Sequence, residues 1–270
     1  MHSTLNFKTS EGKNIFDTAV QMADAARRVI LPHFRSKLLT VKSKTNIGFD
    51  PVTIADKSAE KAMINVLKER RPSDSVFGEE YGEFQGQGVY RWVLDPIDGT
   101  RAFVAGAPTW GVLISVEKKG HGPIFGIIDQ PYIQERFFGG IGLSEVLTQS
   151  GRNTLKTSNI KKIEDAILLS TFPEIGSKKE HNSFKKLANR AKLTRYGLDC
   201  YGYALVAMGT ADLVIEAGLK SYDIQAPACV IEAAGGIVTT WDGKPAFEGG
   251  RIIAASNKRL HSQALDYLNS

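Results

Sequence analysis

Two hydrophobic periodicities divide the chain. Apolar residues recur at intervals of three and four over residues 14–31, which predicts an amphipathic helix that ends near Pro32. A second helix is predicted from Asp56 to Arg71. Residues 38–49 are polar and rich in lysine, which indicates a loop or a short strand. A short strand at residues 75–77 and a glycine-rich loop at residues 82–88 follow.

Short apolar runs dominate the next part of the chain. Predicted strands lie at residues 91–94, 111–117, 124–129 and 134–138, and tight turns join the last three into an antiparallel meander. From about residue 160, strands at 166–170, 193–196, 212–216, 237–240 and 251–255 alternate with helices at 181–192, 201–209 and 223–234 and a last helix from residue 258. We therefore predict an α/β (α+β) fold with two sheet layers: an antiparallel sheet in residues 1–155 and a mixed sheet in residues 156–270. These two subdomains would form one catalytic unit.

The composition is that of a globular protein, with 270 residues, 42% of them hydrophobic, and a net charge of +5. No run approaches the ~20 apolar residues of a membrane span, and the N-terminus has no apolar signal segment. Cys200 and Cys229 form no paired motif. Lysine and arginine are dispersed, which favours a solvated surface over a nucleic-acid site. We expect a cytoplasmic protein with no membrane partner.

The strongest chemical signal is the segment Asp95-Pro-Ile-Asp-Gly-Thr100, which directly follows a predicted buried strand. Two carboxylates three residues apart on such a turn suit a hard cation, with Mg²⁺ preferred beside phosphate. The N–H groups of Gly99 and Thr100 would offer an anion site at a helix start. Alternatively, Asp98 or Thr100 is only a helix N-cap and Asp95 a turn residue. Pro96 is expected to stop the strand from pairing further.

A second acidic segment, Gly78-Glu-Glu80, follows another short strand, and capping does not explain it. Signatures of other phosphate chemistry are missing: the sequence has no Gly-x-x-x-x-Gly-Lys phosphate loop and no Gly-x-Ser-x-Gly elbow. None of the histidines has a metal-ligand pairing. With no credible protein nucleophile, the pattern favours direct attack by water at a metal site.

These segments resemble the inositol monophosphatase superfamily of Mg²⁺-dependent phosphomonoesterases. The resemblance rests on the two segments above, on the segment from Asp50 to Asp56, and on Tyr222-Asp223 followed by Glu232-Ala-Ala-Gly-Gly236. It spans residues 50–236. It implies a layered αβαβα sandwich, a homodimer and a small phosphorylated substrate.

The resemblance also implies a ligand set. Glu79, Asp95 and the carbonyl of Ile97 would hold a first Mg²⁺, and Asp95, Asp98 and Asp223 would hold a second. In some members of the superfamily Glu79 holds a third ion.

Catalytic roles follow from the same resemblance. Thr100 and Asp56 would orient and deprotonate the attacking water, with Glu79 as the third catalytic residue. The phosphate would rest on the amides of Gly99 and Thr100.

The segments 195–204 and 212–225 are similar to the histidinol-phosphate phosphatase branch. Asp199 and Glu216 would suit a substrate that carries an ammonium and an imidazole, because such cations need carboxylate partners, and Arg195 is a third predicted substrate contact. Asp199 is alternatively an N-cap before the following helix. Two residues depart from the branch pattern: Ser221 stands where proline is common, and Pro227 is expected in the first turn of the last but one helix.

Two alternatives to the hydrolysis of histidinol phosphate remain. One is myo-inositol 1-phosphate or a related polyol phosphate, since a neutral polyol such as inositol can also form a hydrogen bond with Glu216. The other is a regulatory protein that binds RNA or the transcription machinery, which would not need all of the acidic ligands.

Overall fold

The computed structural model describes residues 5–37, 39–43 and 51–270 of the chain. A small two-stranded sheet pairs β1 (Val41–Ser43) with β2 (Pro51–Thr53) in antiparallel orientation. It supplies part of the loop or short strand predicted over residues 38–49; the rest of that prediction lies outside the described residues, as does Asp50. None of the described helices is long and apolar enough to cross a membrane.

The larger sheet has eight strands in the order β10-β9-β8-β7-β6-β5-β3-β4. Its strands are β3 (Ser75–Gly78), β4 (Gly82–Phe84), β5 (Tyr90–Asp98), β6 (Gly111–Lys118), β7 (Gly122–Gln130), β8 (Glu135–Gly140), β9 (Leu143–Thr148) and β10 (Gly151–Thr154). All neighbours are antiparallel except β3 and β5, which run parallel. The predicted meander is confirmed.

The smaller sheet has five strands in the order β12-β11-β13-β15-β14. Its strands are β11 (Ile167–Ser170), β12 (Leu193–Tyr196), β13 (Leu213–Leu219), β14 (Ile237–Thr240) and β15 (Gly250–Ala255). β11, β12 and β13 are parallel, whereas β15 is antiparallel to both of its neighbours. The mixed sheet predicted for the second half is confirmed.

Seven α-helices of the described residues complete the layers: α1 (Ser10–Ile30), α2 (Ile54–Arg70), α3 (Thr100–Ala105), α4 (Lys178–Ala188), α5 (Asp199–Ala207), α6 (Ser221–Ala233) and α7 (Lys258–Asn269). Apolar side chains of α1 and α2 pack on one face of the larger sheet. α5 and α6 fill the space between the two sheets, and α4 and α7 cover the outer face of the smaller one. The order of layers is therefore αβαβα, as the resemblance to the inositol monophosphatase superfamily implied.

Several predicted boundaries differ because capping and pairing extend the elements. α2 begins at Ile54, since Thr53 accepts from the Ala55 N–H while the Asp56 carboxylate accepts from the Thr53 N–H. β4 forms within the predicted loop at residues 82–88, and β9 and β10 were not predicted. The strand expected to stop at Pro96 continues as β5 to Asp98, with a register shift at the proline.

Pro227 lies inside α6 and not in its first turn, because the helix already begins at Ser221. Proline has no N–H to donate to the carbonyl four residues earlier, which here belongs to Asp223.

Helix α6 lies unusually close to the larger sheet. A Cβ on Gly139 of β8 would collide with the backbone of Cys229 and Val230, and a Cβ on Gly126 of β7 would lie 2.6 Å from the Ala226 carbonyl oxygen. Only glycine permits this approach. The two glycines therefore fix the distance between the sheet and the helix that begins at Ser221.

We predict that Gly139→Ala lowers the free energy of unfolding by about 1–3 kcal/mol, because the added methyl group forces helix and sheet apart. The matched control is Gly202→Ala in α5, where the nearest atom is an ordinary 3.5 Å away. That change is expected to be neutral or to stabilise by up to about 1 kcal/mol, since alanine favours a helix. Urea unfolding of both variants checks the prediction; equal effects would contradict it.

Candidate active site

The end of β5 delivers the first acidic side chain. Asp95 pairs with Leu113 of β6 before the register shift, and its side chain is 2% exposed. Its carboxylate accepts a 3.0 Å hydrogen bond from the Ile97 N–H. The carbonyl of Ile97 in turn accepts from the Thr100 hydroxyl at 3.0 Å. Asp95 thus stabilises the turn that follows it, so the turn role named as the alternative is present.

Neither Asp98 nor Thr100 caps α3, so that alternative is wrong. The N-cap position belongs to Gly99, which has a left-handed backbone with φ of 79° and makes no side-chain cap. The Asp98 carboxylate instead accepts a 2.6 Å hydrogen bond from the Cys200 N–H, at the start of α5. A Cβ on Gly99 would also lie 2.7 Å from the Asp199 carboxyl carbon. Glycine is therefore required there both by the positive φ and by the close approach of Asp199.

Three carboxylates from two distant parts of the chain converge. Oxygen atoms of Asp95, Asp98 and Asp223 all lie within 4.8 Å of one another. Asp223 comes from the first turn of α6, where its carboxylate accepts from the Lys220 N–H at 2.6 Å. Glu79 joins them from the end of β3: its N–H donates to the Leu94 carbonyl at 3.2 Å, which places it beside Asp95.

The electrostatics of this acidic cluster are unfavourable without a cation. Burial raises the pKa of Asp95 and of Asp98 well above the usual range, and neighbouring carboxylates raise both further, those of Glu79 and Asp199 most. Burial likewise raises the pKa of Asp223 to about 7. Buried oxygen ligands that repel one another fit a hard divalent cation, which would neutralise them.

Thr100 and Asp56 meet as predicted. The Thr100 hydroxyl lies 3.4 Å from one oxygen of the Asp56 carboxylate. The other oxygen accepts from the Thr53 N–H at 2.8 Å and from its hydroxyl at 2.6 Å. Burial raises the pKa of Asp56 to about 6, although the hydrogen bonds from Thr53 act to lower it. Asp56 is therefore held in place by Thr53 and ionised at neutral pH.

A cavity of about 350 Å³ opens over Asp98, Thr100 and Asp223, and it also reaches Asp199 and Glu216. The Glu216 carboxylate, on β13, accepts from the Thr171 N–H at 2.6 Å and from its hydroxyl at 2.9 Å. Burial raises the pKa of Glu216 to about 8 and that of Asp199 to about 6. Both carboxyl groups are thus held in an environment that penalises their charge.

One predicted substrate contact does not reach this cavity. Arg195 is exposed on the edge strand β12, where it pairs with Leu169, and it is not among the residues that line the cavity. Asp199 begins α5 with φ of 48°, and no side-chain cap is made at this helix end, so the N-cap alternative for Asp199 is wrong as well.

Sequence reasoning missed Glu60. It lies on the buried side of α2, and its carboxylate accepts from the N–H groups of Glu80 at 2.8 Å and Tyr81 at 2.9 Å. Burial raises its pKa to about 7. Glu60 thus shapes the turn that carries Glu79. The available signal was an acidic residue four positions after Asp56, among apolar residues of the same helix face.

Arg101 and Phe172 were also missed as cavity residues. The Arg101 guanidinium lies 5.1 Å from the centre of the Phe172 ring. Phe172 comes two residues after the largely apolar strand β11, so its sequence context does not distinguish it from a core residue.

Comparison with known proteins agrees with this geometry. The sequence model described as "Inositol monophosphatase family" matches residues 12–270. The chain is 39% identical over 258 residues to the chloroplastic bifunctional phosphatase IMPL2 of Arabidopsis thaliana, covering 92% of this chain and 72% of that protein. It is 37% identical to a histidinol-phosphatase of Streptomyces coelicolor, covering 92% and 94%. An inositol-1-monophosphatase of Caulobacter vibrioides is 32% identical, covering 82% and 88%.

Among solved structures, an inositol monophosphatase from Zymomonas mobilis superposes with a TM-score of 0.84 at 36% identity. The alignment covers 97% of this chain and 100% of that one.

Because burial raises the folded-state pKa of Asp223 to about 7 from about 3.9 in an unfolded chain, its stabilising contribution is complete below pH 4 and is lost as the pH rises to 7. We predict that, with a chelator present to remove divalent cations, Asp223→Asn raises the free energy of unfolding at pH 8 by about 1–3 kcal/mol, because it removes a buried charge. At pH 4, where the carboxyl group is protonated, the substitution should have little effect. Chemical denaturation at both pH values measures this. Asp266→Asn, on the exposed face of α7, is the control and should change neither value. A stabilisation that is equal at pH 4 and pH 8 would contradict the prediction.

Proposed function

The chain belongs to the inositol monophosphatase family and is a phosphoric monoester hydrolase, and we propose that its substrate is histidinol phosphate, which it hydrolyses to histidinol and phosphate. One observation carries the choice of substrate: Asp199 and Glu216 line the same cavity as the acidic cluster. A substrate with a phosphate at one end and an ammonium and an imidazole at the other matches this distribution of charge. Relatives named histidinol-phosphatase support the proposal.

The family depends on metal ions, and the donor set of the acidic cluster supports Mg²⁺ as the ion. We propose that Glu79, Asp95 and the Ile97 carbonyl hold one ion and that Asp95, Asp98 and Asp223 hold a second. A third at Glu79 is part of the same proposal. When bound, such cations neutralise the phosphoryl oxygens and make a water molecule more acidic.

The protein's own groups then handle the proton. The Thr100 hydroxyl accepts it from the attacking water and passes its own proton to Asp56, 3.4 Å away. Asp56 is suited to this step because its pKa of about 6 keeps it ionised yet basic near neutral pH. The amides of Gly99 and Thr100 are the proposed support of the phosphate.

The organic half of the substrate would meet Glu216 and Asp199. Thr171 holds the Glu216 carboxylate through two hydrogen bonds, so its position is fixed before the substrate arrives. A cation bound beside it favours the ionised form and offsets the burial that raises the pKa of Glu216 to about 8. Arg195 is not part of this proposal, because it lies on the edge strand outside the cavity.

Myo-inositol 1-phosphate is the second candidate. With a pKa of about 8, Glu216 is mostly protonated at neutral pH and can both donate to and accept from the hydroxyls of a polyol. A relative named inositol-1-monophosphatase supports this candidate. A homodimer in the cytoplasm is the assembly and location we propose, on the resemblance of the sequence to this family.

We predict that kcat/KM with Mg²⁺ is at least about tenfold higher for histidinol phosphate than for inositol 1-phosphate or β-glycerophosphate, because only the first can pair with both carboxylates. Steady-state phosphate release with the three esters measures this. Equal values for all three would refute the choice of substrate and leave the class of reaction intact. A preference for inositol 1-phosphate would establish the second candidate.

The loss of activity should be larger when a proposed shared metal ligand is removed than when the proposed proton carrier is removed. We predict that Asp95→Asn abolishes measurable turnover, whereas Thr100→Ala lowers kcat by about 10²–10⁴. Phosphate release by purified variants with native circular dichroism checks both. Asp242→Asn, on the surface, is the control and should retain full activity. Undiminished activity of Asp95→Asn would refute the ligand assignment.

A further inference from the structure

Among the described residues that line the cavity, one side chain is aromatic, and the proposed chemistry does not use it. Phe172 follows β11, and 44% of its surface is exposed although it lines the cavity beside Asp199 and Glu216. Most of the other lining side chains are acidic, hydroxylic or cationic, whereas Ala217 and Leu219 are aliphatic. An exposed aromatic ring inside a polar cavity offers a flat face to a ligand.

The ring is held in place from two sides. On the side of β11, the preceding residue Thr171 is bound through its N–H and hydroxyl to Glu216, and the Ser170 hydroxyl donates to the Phe172 carbonyl at 3.3 Å. On the other side, the Arg101 guanidinium lies 5.1 Å from the ring centre. Arg101 comes from the first turn of α3, directly after Thr100.

The stacked guanidinium shows what the ring can bind. A guanidinium is planar and cationic, and it is attracted to the negative face of an aromatic ring. An imidazole ring has the same flat shape and, when protonated, the same charge. A polyol ring is puckered, is uncharged and lacks such a face.

We propose that Phe172 is a specificity-determining residue whose ring stacks on a planar nitrogen heterocycle of the substrate, while the neighbouring Glu216 binds its cationic or N–H groups. Arg101 is a positioning residue that holds the ring through the cation–π contact. This inference rests on the proposed function, since the imidazole of histidinol phosphate is the heterocycle in question. It adds that an aromatic face, and not only the two carboxylates, separates this substrate from polyol phosphates.

The test measures selectivity, defined as kcat/KM for histidinol phosphate divided by kcat/KM for β-glycerophosphate. Phe172→Ala is expected to lower this ratio about tenfold, mainly through KM, whereas Phe172→Tyr, which keeps an aromatic face, stays within about twofold of the wild type. Arg101→Met should lower the ratio about threefold, because the ring remains but loses its support. Calorimetric binding of histidinol should weaken about tenfold in Phe172→Ala and little in Phe172→Tyr.

Phe84→Ala is the matched control. Phe84 is 47% exposed on β4, with the Lys68 ammonium 5.9 Å from its ring centre, but it does not line this cavity. The selectivity ratio of the Phe84→Ala variant should equal that of the wild type.

An unchanged ratio in Phe172→Ala, or an equal drop in Phe172→Tyr and Phe172→Ala, would overturn the inference. The proposed function fails separately, when the wild type shows no preference for histidinol phosphate.

Discussion

The structure depends on holding like charges together. Carboxylate oxygens of Asp95, Asp98 and Asp223 lie within 4.8 Å of one another, and Glu79 adds a further carboxylate beside Asp95. Burial first, and the neighbouring carboxylates after it, raise the pKa values of the three aspartates, so bringing their charges together without a cation opposes folding. The surrounding elements must therefore be rigid enough to impose it. Much of the architecture can be understood as the means of doing so.

That rigidity comes from backbone geometry and buried hydrogen bonds more than from the acidic residues themselves. Glycines of β7 and β8 let α6 approach the larger sheet, which fixes the start of the helix and with it Asp223. Glu60 binds the two N–H groups that follow Glu79. Thr53 caps α2 and at the same time orients Asp56. Each acidic group is thus positioned by a neighbour that does not belong to the cluster.

Local patterns predicted two sheet layers with helices around them and a cation site at Asp95 and Asp98, whereas the αβαβα order and the places of Glu79 and Asp223 in the cluster came from the resemblance to the family. Alternation and turn residues gave the meander, and the spacing of Asp95 and Asp98 indicated a cation site before any fold was known. The positions that the sequence did not reveal depend on long-range geometry. The exposure of Arg195 follows from the position of β12 at the sheet edge, and the cavity position of Phe172 follows from the end of β11 facing α3. Glu60 looked like an ordinary helix residue, because its partners lie twenty residues away in the chain.

The hydrogen bond from the Cys200 N–H to the Asp98 carboxylate links the two halves of the cavity. It joins a proposed cation ligand directly to the first turn of α5, whose first residue is Asp199. If an ion drew Asp98 toward itself, this hydrogen bond would transmit the shift to the start of α5 and so to Asp199, the proposed contact of the organic end of the substrate. Ion binding and ester binding would then be coupled, and by thermodynamic reciprocity each would change the affinity for the other by the same factor.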